Sequence, residues 1–267
     1  MDYLIKPTEV QHKTYEMLFL GALFVSFGVG VEYFLPELHG SIIIFAMIPA
    51  IPLMLSLLLR EEREDEKCRS KTLREAIKLE GSLFSRHARI IKVFSFFFLG
   101  AVIAYTFWFV ALPPDLSASM FTDQIAETKV IQGMASAWFF NTQTASFLFA
   151  HNIQVLALMF LFCLFYGVGS LYLLLWNASI LGVVLGQKII AQGPVGFITG
   201  FLGLLPHGSF EIAAYFIASI AGGIMSMALM RSKCKRAALK QVAVDVVTLA
   251  AIAVILIAIG SVLESAY

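Results

Sequence analysis

The residues with the widest chemical repertoire fall in a few short stretches: His151-Asn152, Asn177, Lys188, and Pro206-His207-Gly208-Ser209-Phe210-Glu211. If a helix begins at Pro206, His207 and Glu211 are four residues apart and share one face. Together with His151 they make a set of two imidazoles and one carboxylate. Zinc accepts such a set and keeps a position open for water, which would be the chemistry of a metal-dependent hydrolase. The spacing is not that of an HExxH helix, and a plainer account is available. Glu211 in a first helical turn stabilises the positive helix end, and His207 bonds neighbouring backbone at the cap. No metal, cofactor or catalytic residue is therefore assigned.

Lys188 admits two readings: a substrate or ion site at a broken helix, where freed backbone lines a cavity, or a lysine that snorkels or pairs internally. Asn152 and Asn177 bracket an apolar run, where each either caps a helix end or bonds across to a neighbouring helix. No Ser-His-Asp arrangement, glycine-rich nucleotide loop or paired carboxylates at a pocket can be found, so hydrolase, ATPase and glycosidase chemistry lacks a motif.

The elements that must position these groups are set by composition. Of 267 residues, 59% are apolar and 14% charged, more apolar surface than one water-solvated core can hide. The net charge of +1 gives no electrostatic footprint for nucleic acid. Cys68, Cys163 and Cys234 lack CxxC spacing and form neither a disulfide framework nor a thiolate zinc site.

A helix crosses the roughly 30 Å hydrocarbon layer with about 20 residues. Seven charge-poor runs of that size predict an all-α, polytopic bundle: Met17 to Leu35, Ser41 to Leu59, Val93 to Leu112, Ile153 to Trp176, Ala178 to Leu205, Gly208 to Met230 and Val242 to Leu263. The first reads as a retained anchor. The fifth is interrupted at Gly193-Pro194 and reads as a broken helix that still crosses. A re-entrant hairpin is the alternative, but it would export Arg231, Lys233, Lys235 and Arg236.

Lys and Arg resist translocation, and 17 of the 19 lie in the N-terminal arm, in Arg60 to Lys92 and in Arg231 to Gln241. This places the N-terminus in the cytoplasm and the C-terminus outside a cell membrane. The chain divides into residues 1–59, an arm and transmembrane hairpin; 60–92, a charged cytoplasmic helical connection anchored at lipid headgroups by Arg86, His87, Arg89 and Lys92; and 93–267, a five-span core. In that core, 113–144 forms an outer amphipathic lid with an interfacial Trp138-Phe139-Phe140 cluster. Gly182 and Gly186, Gly196 and Gly200, and Ala214, Ala218, Gly222 and Ser226 form small-residue stripes, so spans five and six belong at the bundle centre or at an oligomer seam.

The stretch FLFAHNIQVLALMFLFCLFYGVGSLYLLLWNASILGVVLG from Phe147 to Gly186, with LLPHGSFEIAAYFIASIAGG at 204–223, resembles the stage II sporulation protein M-like family of multi-spanning membrane proteins. The resemblance covers spans three to seven. It rests on His151-Asn152 at a helix start, Asn177-Ala178 after a helix end, and Pro206-His207-Gly208 with Glu211. His151 and Ala178 depart from the family's usual Asn and Gly. The resemblance implies a membrane scaffold that works with partner enzymes acting on the cell wall and is not itself the hydrolase. The expected function is thus non-enzymatic, scaffolding a membrane complex or organising the bilayer. The expected partners are lipid and a membrane protein or a second copy of the chain. A transporter or channel with its polar site at the broken fifth helix is the alternative, and an intramembrane metal-dependent hydrolase the third reading.

Overall fold

The computed structural model describes residues 15–38, 40–69, 83–134, 142–166, 169–230 and 236–265, and among these there is no strand. The elements are α1 (Glu16–Phe34), a 3-10 turn (Pro36–Leu38), α2 (Ile42–Arg69), α3 (Leu83–Ala111), α4 (Pro114–Met120), α5 (Thr122–Met134), α6 (Thr142–Tyr166), α7 (Leu171–Gln192), α8 (Pro194–Met230) and α9 (Arg236–Glu264). Helices α1, α3, α6, α7, α8 and α9 are long and apolar enough to cross a membrane, and α2 contributes the shorter apolar stretch Ile42–Leu57. All backbone polar groups in hydrocarbon must be satisfied within the segment, so an all-helical solution is what this composition requires.

Helix directions follow from which small residues meet which neighbours. Gly182 backs onto Tyr105 and Gly186 onto Phe109, so α3 and α7 run parallel. Gly21 sits against Ala101, and Trp108 Nε1 donates to Ser26 Oγ at 2.9 Å, so α1 and α3 are parallel as well. Gly28 packs on the start of α2 at Ile42, making α1 and α2 antiparallel. Asn152 meets Glu211 and Phe160 meets Gly222, so α6 and α8 run together, opposite to α7 and α9. The seven helices alternate in direction along the chain.

Two turns fix that alternation. The fourth crossing was expected to run from Ile153 to Trp176, but α6 ends at Tyr166 and α7 begins at Leu171. Gly169 lies so close to the Phe162 carbonyl that a Cβ there would collide, and Gly169 and Ser170 form the turn. Hydropathy alone passes over it, because the turn residues are small and their neighbours apolar. An interruption is present at Gly193-Pro194, but it is not a break within one crossing helix: Gly196 and Gly200 pack back on Lys188 and Leu185, so the chain reverses there and the fifth span expected over Ala178 to Leu205 is divided between the antiparallel α7 and α8. Gly193 adopts φ +69°, a conformation that glycine reaches at little cost. Thr199 Oγ1 then donates to Gln192 Oε1 at 2.9 Å across the hairpin.

The predicted small-residue stripes are spent inside this chain. A Cβ on Gly222 would meet the Phe160 carbonyl and Cys163, while Ala214, Ala218 and Ser226 are buried along the same helix. Close backbone approach of this kind replaces the hydrophobic drive that lipid does not supply. The lid expected over 113–144 begins with two helices, α4 and α5. Pro113 and Pro114 end α3, and Ser117 Oγ donates to the Phe109 carbonyl at 2.9 Å. The buried Phe121 ring stands edge-on to Tyr105 and Phe109, with centroids 6.3 and 5.5 Å away. Trp138 to Phe140, and the side chains of 60–90 with Arg86, His87 and Arg89 among them, lie outside the described residues.

Candidate functional site

Helix α8 is the organiser of the polar groups. Its 37 residues make a rod of about 55 Å at about 1.5 Å per residue. His207, Glu211 and Tyr215 recur every four residues and so share a face, which turns toward α6 and α9. Asn152 on α6 lies opposite. Its Nδ2 donates to Glu211 Oε1 at 2.6 Å, and its Oδ1 accepts from the Tyr215 hydroxyl at 2.9 Å. Asn152 and Tyr215 are buried, at 6% and 3% exposure.

From the last turn of α9, Glu264 brings its carboxyl group into hydrogen-bonding contact with that of Glu211. Gly260, one turn earlier, gives Glu211 room, since a Cβ there would stand 3.0 Å from Glu211 Cγ and 3.4 Å from the His207 carbonyl oxygen. Three helices are therefore tied through Asn152, Glu211, Tyr215 and Glu264. Each interhelical hydrogen bond of this sort contributes roughly 0.6 kcal/mol in a membrane protein and at most about 1.7.

Of the residues singled out from the sequence, the structure brings Asn152 and Glu211 into contact. His207 lies one turn from Glu211 on the same helix face, its Nδ1 buried and without a hydrogen-bond partner among the described residues. Two others lie apart from this cluster. Asn177 Nδ2 donates to the Leu173 carbonyl at 2.8 Å within its own helix. Lys188 is exposed near the end of α7, four residues before Gln192, because α7 starts at Leu171 rather than Ala178. Its depth thus differs from the near-midplane position that counting from Ala178 gives.

His151 is exposed and stacks on Phe147, with ring centroids 6.4 Å apart, since adjacent residues on a helix point about 100° apart and Asn152 takes the inward position. Among the described residues no three His, Cys, Asp or Glu side chains are grouped to hold a metal ion, so the set His151, His207 and Glu211 does not assemble.

Tyr215 and Glu264 escaped the sequence reading. Tyr215 carried a usable signal, since it extends the four-residue spacing of His207 and Glu211. Glu264 carried none, because it is 53 residues from Glu211 and sits where any helix end could place a carboxylate.

A family model described as stage II sporulation protein M matches residues 93–267, from within α3 through α9. Over 72 residues the chain is 33% identical to an uncharacterized protein of Methanocaldococcus jannaschii, a match that covers 27% of this chain and 39% of that protein. No solved structure matches.

Proposed function

The chain belongs to the stage II sporulation protein M family, and from that premise we propose that it is a membrane-embedded scaffold, holding a partner in a membrane complex, and not a transporter or an enzyme. One observation carries this reading. Four polar groups of the spanning helices, Asn152, Glu211, Tyr215 and Glu264, are engaged with one another across α6, α8 and α9. A polar side chain in hydrocarbon needs a partner or a purpose, and a mutual tie supplies the partner.

Transport at the turn near Gly193 would want Lys188 joined to this cluster, yet Lys188 is exposed near the end of α7 and the cluster is closed by Asn152, Glu211, Tyr215 and Glu264 among themselves. The scaffold reading sets the start of α1 in the cytoplasm and the end of α9 outside. Cation placement and the alternating helix directions support that orientation.

Purification of the full chain from its native membranes in mild detergent tests the role. The expected result is a stoichiometric protein partner, reached by cross-linking through 60–92 or through α4 and α5. Recovery of the chain without a partner, together with solute flux in liposomes that Glu211→Gln abolishes, would overturn it in favour of transport.

A further inference from the structure

Helix α8 has a second face. About 100° around the helix from the polar tie, Gly208 and Ile212 turn toward α3 and α7, where a cavity of about 410 Å³ lies between the three helices. Among its sixteen lining residues the polar side chains are Ser95 and Ser209, and the Ser95 hydroxyl is already spent on the Ile91 carbonyl at 2.8 Å. A hydrophilic solute would find almost nothing to bond. Gly208 is buried, yet a Cβ added to it would meet nothing within 4 Å, so the helix surface at this point is hollow. The rim residues Leu99, Phe201 and Leu205 are 40%, 40% and 41% exposed, so the cavity runs continuously into the lipid-facing surface of the spanning helices.

A charge stands at one end of this space. Leu181, Leu185 and Lys188 lie on one stripe of α7 at four- and three-residue spacing. The first two line the cavity, and Lys188 follows one turn nearer the Gly193 turn. The Lys188 stem crosses Gly200 of α8, where a Cβ would come within 3.2 Å of its Cγ. Its side chain is exposed and has no ion-pair partner among the described residues. An apolar slot open to the bilayer and ending at a free cation near a helix terminus matches one kind of molecule, with apolar chains and an anionic headgroup.

We propose that the cavity between α3, α7 and α8, together with Lys188, binds an anionic phospholipid of the surrounding bilayer, its acyl chain lying against Gly208 and its phosphate at the Lys188 ammonium. The site is independent of the scaffold role, which can fail while this one stands.

Native mass spectrometry of the full chain, delipidated in detergent and titrated with phosphatidylglycerol or phosphatidylcholine of equal chain length, tests it. The wild type is expected to retain one phosphatidylglycerol in preference to phosphatidylcholine by about fivefold, the contribution of a single lysine near the membrane surface. Lys188→Gln, on the exposed rim, should lower phosphatidylglycerol retention to the phosphatidylcholine level and leave the latter unchanged. Gly208→Leu, which fills the hollow, should lower both. Equal retention of the two lipids by the wild type, a preference that survives Lys188→Gln, or undiminished binding to Gly208→Leu would each overturn the proposal.

Discussion

Asn152 Nδ2 donates to Glu211 Oε1 at 2.6 Å, joining α6 to α8 across the face that each helix turns toward the other. The same Asn152 side chain accepts from Tyr215, so one amide serves as donor and acceptor to residues one turn apart on the facing helix. An amide is suited to this position because it offers both functions, which neither a carboxylate nor an ammonium does.

Asn152→Ala removes both bonds and leaves the Glu211 carboxyl and the Tyr215 hydroxyl short of a partner. A loss of about 1 to 3 kcal/mol in unfolding free energy is expected, measured by steric trapping in bicelles. Combining it with Tyr215→Phe in a double-mutant cycle should give a coupling of roughly 0.6 kcal/mol and no more than about 1.7. Full additivity would mean that the pair contributes nothing as a pair.

Glu264 discriminates hydrogen bonding from charge. Glu264→Gln keeps a side chain of the same length whose amide can donate to Glu211, so stability near that of the wild type is expected. Glu264→Ala breaks the contact and should cost roughly 1 kcal/mol in the same assay. Equal loss in both variants would show that the tie needs the second carboxyl group itself.

Glycine positions differ in a way that substitution will expose. Gly222→Ala drives a methyl into the Phe160 carbonyl and Cys163, and should lower stability by about 1 to 3 kcal/mol. Gly203→Ala meets nothing within 4 Å and gains helix propensity, so it should be neutral or stabilising by up to about 1 kcal/mol. Thermal melts in one detergent compare them.

Glu32, at 1% exposure, closes the turn between α1 and α2 by accepting from the Gly40 and Ser41 backbone N–H groups at 3.0 and 2.9 Å. A carboxylate at the start of α2 satisfies donors that the helix itself cannot. Glu32→Gln turns an NH₂ toward one of them, and amide exchange at Gly40 and Ser41 should quicken on the order of tenfold, equivalent to about 1.4 kcal/mol.

The helices were legible in the sequence because hydrocarbon length and charge-poor runs leave few other choices. Their ends were less so. The turn at Gly169-Ser170 lies between apolar stretches and hydropathy passes over it, whereas the interruption at Gly193-Pro194 was legible but the reversal of the chain there was not. With α7 starting at Leu171 rather than Ala178, Lys188 falls near the helix end. Half of the polar tie was readable. Glu211 and Asn152 stood out as polar groups in apolar runs, whereas their pairing with each other, and with Glu264, depends on helix packing across dozens of residues. His151 looked equivalent to Asn152, and the 100° between neighbouring helical residues put it on the other side.

Every contact described here presumes that seven helices thread one bilayer in alternation. Compartment-specific labelling of the chain on the N-terminal side of α1 and on the C-terminal side of α9 tests this most directly. The account predicts that an impermeant reagent outside the cell reaches the second and not the first. Both sites modified together, or both protected together, would contradict it and break the register in which Asn152, Glu211 and Glu264 meet.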